Sequence, residues 1–458
     1  MSQYAITNPA TGIVEARYPA ASDADVDHAL AATAAAYRRW RTTTLTDRAA
    51  ALNRVMDLLE ERKQSLAETV SREMGKRIGD AVAELDICIA IAGYYADNAE
   101  QLLADSTLDT SSGGRAFVRK TPVGPLLGVM PWNYPYYQVF RFVAPNLMAG
   151  NTVVIKHASQ CPASAAAMAE LFADAGLPDG AYVNLFATHE QIERIVADDR
   201  IVGVSLTGSE RAGARIAALA GRHLKKVVLE LGGSDPYLIL DVADMADTVV
   251  QATKARLGNA GQSCNGGKRF IVLDHLYDQF VEQLTESFAG HRAGDPFDPA
   301  CTYGPLSSAG ALDELDEQVV DALQAGAKAT VGARRSQSPG GYEPTVLIDV
   351  PTSARAYYEE LFGPVAVVHV VDSIDAAVDL ANDTPFGLGA AVFHRDEALA
   401  LEIADRLDAG MVFINTREGG GADLPFGGTK KSGFGRELGP AGIDEFVNKK
   451  LIHLPPAD

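Results

Sequence analysis

The chain has 458 residues, too many for one hydrophobic core, so two or three domains are expected. Sixty acidic against 40 basic residues give a formal charge of −20, which excludes a general nucleic-acid-binding surface rich in lysine and arginine. The same field repels anionic ligands on average, so individual cations near a cleft become informative. The four cysteines, Cys88, Cys161, Cys264 and Cys301, are scattered without a CxxC spacing. Neither a disulfide framework nor a metal site is expected, and a reducing cytoplasm fits. Met1 to Pro9 lack a basic and an apolar leader region, and no apolar run is long enough to span a bilayer. A soluble protein without a membrane partner is expected.

From Asp23 to Ala104 the pattern is mostly helical, with apolar residues at helical spacing in stretches such as Asp47 to Leu59. A polar stretch from Asp105 to Arg115 leads into Ala116–Thr121, whose period-two alternation predicts an exposed strand or hairpin arm. Short apolar runs then alternate with helical segments: Pro125–Met130, Asn151–Lys156 and Ile201–Ser209. Such continuous β-rich runs predict a parallel sheet covered on both faces, in a doubly wound nucleotide-binding domain. A second α/β succession runs from about Gly232 to Lys430, with strand-like Arg269–Leu273 and Met411–Asn415. Ser336 to Gly341 reads as a surface loop, and Phe446–Leu454 as a terminal strand whose exposed edge invites pairing.

The chemistry concentrates in four places. Cys264 lies in the glycine-rich run Asn259 to Gly267, 34 residues after Glu230 in Leu229-Glu230-Leu231-Gly232-Gly233. A thiolate is a strong nucleophile, small neighbours let an electrophile approach it, and a nearby carboxylate can act as base. Asn133, in Met130-Pro131-Trp132-Asn133-Tyr134-Pro135, follows an apolar strand, where open α/β sheets bind ligands. Its carboxamide can donate to an oxyanion, an interaction worth about 2.7–4 kcal/mol in the transition state; an asparagine in a proline-flanked turn is the other reading. Lys156-His157-Ala158-Ser159 leaves a strand: the lysine suits ribose or phosphate, and the uncharged Ser159 leaves room for an additional phosphate. Leu206-Thr207-Gly208-Ser209 is a strand entering a helix whose amides can face a pyrophosphate, although the G-x-G-x-x-G fingerprint is absent there.

Pro131-Trp132-Asn133, Glu230-Leu231-Gly232-Gly233, Gly261-Gln262-Ser263-Cys264 and Glu360-Leu361-Phe362-Gly363-Pro364 together resemble the aldehyde dehydrogenase superfamily in order and spacing. The resemblance extends from Asn8-Pro9-Ala10-Thr11-Gly12 to Pro425–Gly433. It implies a Rossmann-type cofactor domain (residues 1–107 and 123–231), an α/β catalytic domain (232–435), and a small β oligomerisation flap with a C-terminal segment (108–122 and 436–458). It further implies homodimers or homotetramers. By the same resemblance Cys264 attacks the aldehyde, the Cys264 amide and Asn133 bind the oxyanion, a nicotinamide takes the hydride, and Glu230 activates water against the thioester. Trp132, Asn133, Lys156, His157, Ala158, Ser159, Gly208, Ser209, Leu231, Glu360 and Phe362 are then the cofactor-binding residues, with no metal. Ser159 tilts the choice to NADP, NAD remaining possible. His157 stands where many relatives carry proline.

The runs Leu229–Pro236 and Lys430–Glu437 look most like the short bacterial succinate-semialdehyde dehydrogenases of NADP type. A carboxylate-bearing aldehyde needs a cation. Arg141, eight residues after Asn133, matches an arginine that relatives use for this; an intraprotein ion pair is its other use. The arginine normally six residues before the cysteine is replaced by Gly258, with Arg256 nearby, and Arg417 is a candidate substitute. Gly266 stands where redox-switched relatives carry a second cysteine, so no disulfide switch is expected. Other semialdehydes, aromatic or aliphatic aldehydes, and a thiol esterase without nicotinamide are the alternatives.

Overall fold

The structure, a computed structural model, describes residues 4–111, 113–417 and 421–456. Three long helices, Asp23–Trp40, Leu45–Met74 and Ile78–Leu102, occupy the region of helical periodicity. The first two begin with capping boxes, in which Ser22 pairs with Asp25 and Thr44 with Asp47, so the orphan N–H groups at each start are satisfied locally. The second ends at Gly75, whose φ of 79° and close approach to Pro305 both require glycine.

Five parallel strands and one short antiparallel strand form the first sheet, in the order Gly433–Phe434, Lys226–Glu230, Gly203–Thr207, Pro125–Val129, Thr152–Lys156, Tyr182–Asn184. Thr152–Lys156 and Gly203–Thr207 are buried at every residue, as a sheet covered by helices on both faces demands. Chain order reverses between Pro125–Val129 and Gly203–Thr207. Their carboxyl ends therefore open a crevice, because the following segments leave to opposite sides of the sheet.

The second sheet has seven strands, ordered Lys328–Val331, Thr345–Ile348, Val365–Val371, Gly267–Leu273, Asp235–Asp241, Gly389–His394, Met411–Ile414; all neighbours are parallel except the first pair. The predicted arm is the strand Arg115–Pro122, which pairs antiparallel with Val447–Leu454 over eight residues and carries Ser106–Leu108 on its other edge. Leu108, Leu451 and Leu454 are exposed on these outer strands. Among the described residues no helix is long and apolar enough to cross a membrane, and no group of three or more side chains is arranged to hold a metal ion.

Candidate active site

At the crevice, the strand Pro125–Val129 passes into Met130–Tyr136 and then the helix Tyr137–Ala149. Asn133 is buried in this turn, and its carboxamide is held at both ends. Nδ2 donates to the Gln262 carbonyl at 3.0 Å, and Oδ1 accepts from Gln138 Nε2 at 3.0 Å. One N–H of that amide is thus used for orientation, and a second remains to donate elsewhere.

The cysteine loop reaches the crevice through an unusual backbone. Asn259 and Ala260 both have positive φ, 53° and 55°, ahead of Gly261. A Cβ on Gly261 would lie 2.1 Å from the Gly363 carbonyl oxygen, so only glycine allows the two loops to touch. Asn259 Nδ2 donates to the Asn133 carbonyl at 3.0 Å and the Gln262 carbonyl at 3.2 Å, joining the loops. The buried Lys268 ammonium donates to the carbonyls of Ser263 (3.0 Å) and Cys264 (2.8 Å) and meets Glu360 at 3.1 Å. A Cβ on Gly233 would sit 2.5 Å from the Cys264 carbonyl, which explains a glycine directly after Glu230-Leu231-Gly232.

Glu230 ends its strand inside the protein. Its Oε2 lies 3.3 Å from Arg141, whose guanidinium also meets Glu437 at 2.6 Å. Arg141 is itself buried between the rings of Tyr137 (4.9 Å) and Phe426 (4.5 Å). Burial raises the Glu230 carboxyl to about 7, against the pull of Arg141 and with a push from Glu437. Burial first, and the Glu230 charge second, push the Cys264 thiol well up. Oε1 of Glu230 is buried without a hydrogen-bond partner among the described residues. The pair is therefore a protonated thiol beside a carboxylate that titrates near neutrality and has lone pairs free to receive a proton.

Two cavities meet at this pair. The larger, about 630 Å³, is lined by Tyr134, Tyr137, Arg141, Lys254, Gly258, Ser263, Cys264, Arg417 and Phe426 among others. The smaller, about 240 Å³, is lined by Trp132, Asn133, Thr207, Gly208, Ser209, Glu230, Leu231, Gly232, Glu360 and Phe362, again with Cys264. Cys264 and Gln138 belong to both walls. An electrophile on one side and a second reactant on the other can thus address the same sulfur.

The smaller cleft fits a nicotinamide dinucleotide. It opens at the sheet's switch point; Trp132 and Phe362 present aromatic surface edge to face at 5.6 Å, and Glu360 offers a carboxylate for ribose hydroxyls. Ser209 caps the helix Glu210–Arg222, whose first amides face the same end. Lys156 to Ser159 lie outside this lining, at the end of the adjacent strand, where Met130 N–H donates to the Lys156 carbonyl at 2.9 Å. Lys156 is buried, and that burial lowers its pKa. His157 is fully buried with neither ring nitrogen partnered among the described residues, and burial lowers it to about 3, so it is neutral. Ala158 and Ser159 are half-buried, and no acid occupies the Ser159 position.

Of the two arginines singled out for a substrate, both line the larger cavity, but their surroundings differ. Arg141 is held between two carboxylates, as above. Arg417 is anchored through its backbone: its N–H donates to Gln251 Oε1 at 3.0 Å and its carbonyl accepts from the Tyr237 hydroxyl. Arg256 is buried and donates to the Gly261 carbonyl, holding the cysteine loop rather than facing the cavity. Gly258 lines the cavity, and a Cβ there would meet nothing within 4 Å. Gln138, Asn259, Gln262, Lys268 and Glu437 complete the site without having been singled out from sequence. Glu437 does fall in the Lys430–Glu437 run, but nothing local to that run connects it to Arg141.

A model of the aldehyde dehydrogenase family matches residues 1–452. A protein of Deinococcus radiodurans named succinate-semialdehyde dehydrogenase (NADP+) is 48% identical over 454 residues, covering 99% of this chain and 95% of that protein. A protein of the same name from Mycobacterium avium is 44% identical over 457 residues, covering 98% and 96%. The crystal structure of succinic semialdehyde dehydrogenase from Streptococcus pyogenes in complex with NADP+ superposes with a TM-score of 0.96 at 42% identity, covering 99% of this chain and 100% of that one.

Proposed function

The chain belongs to the aldehyde dehydrogenase family, and from that premise we propose that it oxidises succinate semialdehyde to succinate with NADP as acceptor. The observation that carries the reading is Cys264 in the common wall of two cavities, beside a buried carboxylate raised to about 7. The names of the relatives support the choice of aldehyde and cofactor, and Ser159 supports NADP over NAD.

The aldehyde enters the larger cavity; Trp132, Glu360 and Phe362 of the smaller cleft would hold NADP, which when bound would supply the acceptor for the hydride of the adduct carbon. Cys264 Sγ adds to the aldehyde carbon while its proton passes to Glu230. The carbonyl oxygen becomes an oxyanion, met by the second N–H of the Asn133 amide and the Cys264 backbone N–H. Loss of the hydride leaves a thioester on Cys264. Glu230, having released the first proton to solvent, takes a second from water as that water attacks the thioester carbon. The C–S bond breaks, the acid departs and the sulfur is regenerated.

Recognition of the distal carboxylate falls to the cationic part of the larger cavity. Arg141, Lys254 and Arg417 line it, and its two acids are engaged: Asp80 by Arg77 at 2.7 Å and Glu84 by Lys76. Lys254 and Arg417 thus stand with Arg141, itself paired with Glu230 and Glu437, as the cations along this wall in a chain of charge −20. Exposed leucines on the three-stranded arm support its use as the contact that builds a homodimer or homotetramer, and four free thiols fit a cytoplasmic setting. The deciding experiment is a steady-state panel of succinate semialdehyde and uncharged aldehydes with NADP and NAD, followed at 340 nm. Equal kcat/KM for charged and uncharged aldehydes overturns the substrate assignment.

A further inference from the structure

A second buried ion pair lies at the wall of the larger cavity, with Glu84 among the residues that line it. Lys76, in the turn between the helices Leu45–Met74 and Ile78–Leu102, pairs with Glu84, and both side chains are 0% exposed. Burying two charges away from water is costly, and a pair retained there normally has every lone pair and proton in use. Here each partner reaches toward a different part of the active site.

Glu84 Oε1 accepts from the backbone N–H groups of Tyr136 (2.8 Å) and Tyr137 (3.1 Å). These are the first N–H groups of the helix Tyr137–Ala149, which has no side-chain cap of its own. A carboxylate from a distant helix thus serves as that cap, where the helix dipole favours negative charge. The helix carries Gln138, which orients Asn133, and Arg141, which meets Glu230. Lys76, on the other side, sits over the Tyr134 ring with its nitrogen 3.6 Å from the centroid. The Tyr134 hydroxyl is 2.9 Å from Ser263 Oγ, and Ser263 precedes Cys264.

We propose that Lys76 and Glu84 are positioning residues: their pair fixes the helix whose Gln138 and Arg141 contact the oxyanion donor and the base relative to the loop holding the nucleophile. Tyr134 is the link to that loop, clamped below by a cation and tied above to Ser263. None of these four groups need touch the reacting atoms. Their effect is on how often Cys264, Asn133 and Glu230 stand at reactive distance together. The inference rests on Cys264 being the nucleophile, and not on which aldehyde is oxidised.

The test uses Tyr134→Phe, Ser263→Ala, their double variant, Glu84→Gln, Lys76→Met and Lys76→Arg in the full chain. The measurements are kcat with succinate semialdehyde, cofactor-free hydrolysis of p-nitrophenyl acetate, NADP Kd and Tm. Tyr134→Phe is expected to lower kcat and ester hydrolysis together by about tenfold, with Kd and Tm unchanged, since misplacing reacting groups costs rate and not cofactor affinity. The double variant should be no slower than the slower single one, because both remove the same hydrogen bond. Lys76→Arg should restore part of what Lys76→Met loses. Should Glu84→Gln or Lys76→Met fail to fold, the Tyr134–Ser263 cycle decides alone. The inference is overturned if Tyr134→Phe stays within twofold on both activities, if the single losses multiply in the double variant, or if Kd and Tm fall along with kcat. The ester needs neither aldehyde nor NADP, so a wrong aldehyde assignment leaves this readout intact.

Discussion

The Arg141 guanidinium stands 3.3 Å from the Glu230 carboxylate, inside the protein and within the wall of the cavity proposed for the aldehyde. An arginine so placed affects both proton affinity and substrate charge. The two roles are separable by experiment.

Arg141→Met should move the acid limb of kcat to higher pH. Arg141 holds the Glu230 pKa down against burial, so its removal raises that pKa. Arg141→Lys keeps the charge and should leave the limb close to that of the unaltered enzyme, while losing the bidentate fork and with it some preference for succinate semialdehyde over an uncharged aldehyde. The pH profiles and the ratio of kcat/KM values check both. Arg141→Met also leaves two buried carboxylates without their cation, a loss on the order of 3–5 kcal/mol in unfolding experiments.

In the unaltered enzyme, kcat should rise with pH through about 7, the value to which burial lifts Glu230. Only the deprotonated carboxylate accepts a proton, so activity falls by about tenfold per pH unit below that value. A profile flat from pH 5.5 to 8.5 would exclude Glu230 as the base of the rate-limiting step.

Cys264→Ala should lower kcat by on the order of 10³-fold or more, since the covalent route is lost entirely. Glu230→Gln should behave differently. It is expected to stall after one turnover, with an acyl group on Cys264 visible as a mass increase on the intact protein. Multiple turnovers by Glu230→Gln at the normal rate would exclude the hydrolytic role.

Ser159→Glu should raise the KM for NADP by about tenfold or more while changing that for NAD little, because a carboxylate opposes an additional phosphate by like-charge repulsion. Parallel initial-rate curves for the two cofactors check this. Equal effects on both would place Ser159 away from the phosphate.

Gly258→Arg tests the cationic cavity from the opposite direction. A Cβ at Gly258 meets nothing within 4 Å, and its φ of −55° suits any residue. The added guanidinium should lower the KM for succinate semialdehyde several-fold and leave that for an uncharged aldehyde unchanged.

Cys264 and Glu230 were legible in the sequence because each sits in a short run whose glycines are themselves required by close backbone approach, and Asn133 was legible from its place just after an apolar strand. Gly233 beneath the Cys264 carbonyl and Gly261 against Gly363 are the physical reason those runs read clearly. The crevice was legible from the strand–helix alternation even without G-x-G-x-x-G, since the ends of Pro125–Val129 and Gly203–Thr207 form it by topology. The electrostatics were not. Glu84 and Lys76 read as ordinary charges around a helical stretch, and Glu437 lies far along the chain from the arginine it meets. Periodicity reports which face of an element is apolar, whereas a buried ion pair is set by which elements meet. The strand Gly433–Phe434 was equally silent, since two residues carry no period.

That two-residue strand imposes an order on synthesis. It completes the edge of the first sheet against Leu229 and Glu230, and Glu437 follows it directly to reach Arg141. A chain emerging from the ribosome can assemble the inner strands early, as domains commonly do. It cannot close that sheet, or bring the second carboxylate to Arg141, until Gly433 to Glu437 are made, long after Cys264. Cys264, Glu230 and Arg141 are therefore all made before the segment that completes their surroundings, and the site takes its final form only after that segment has emerged.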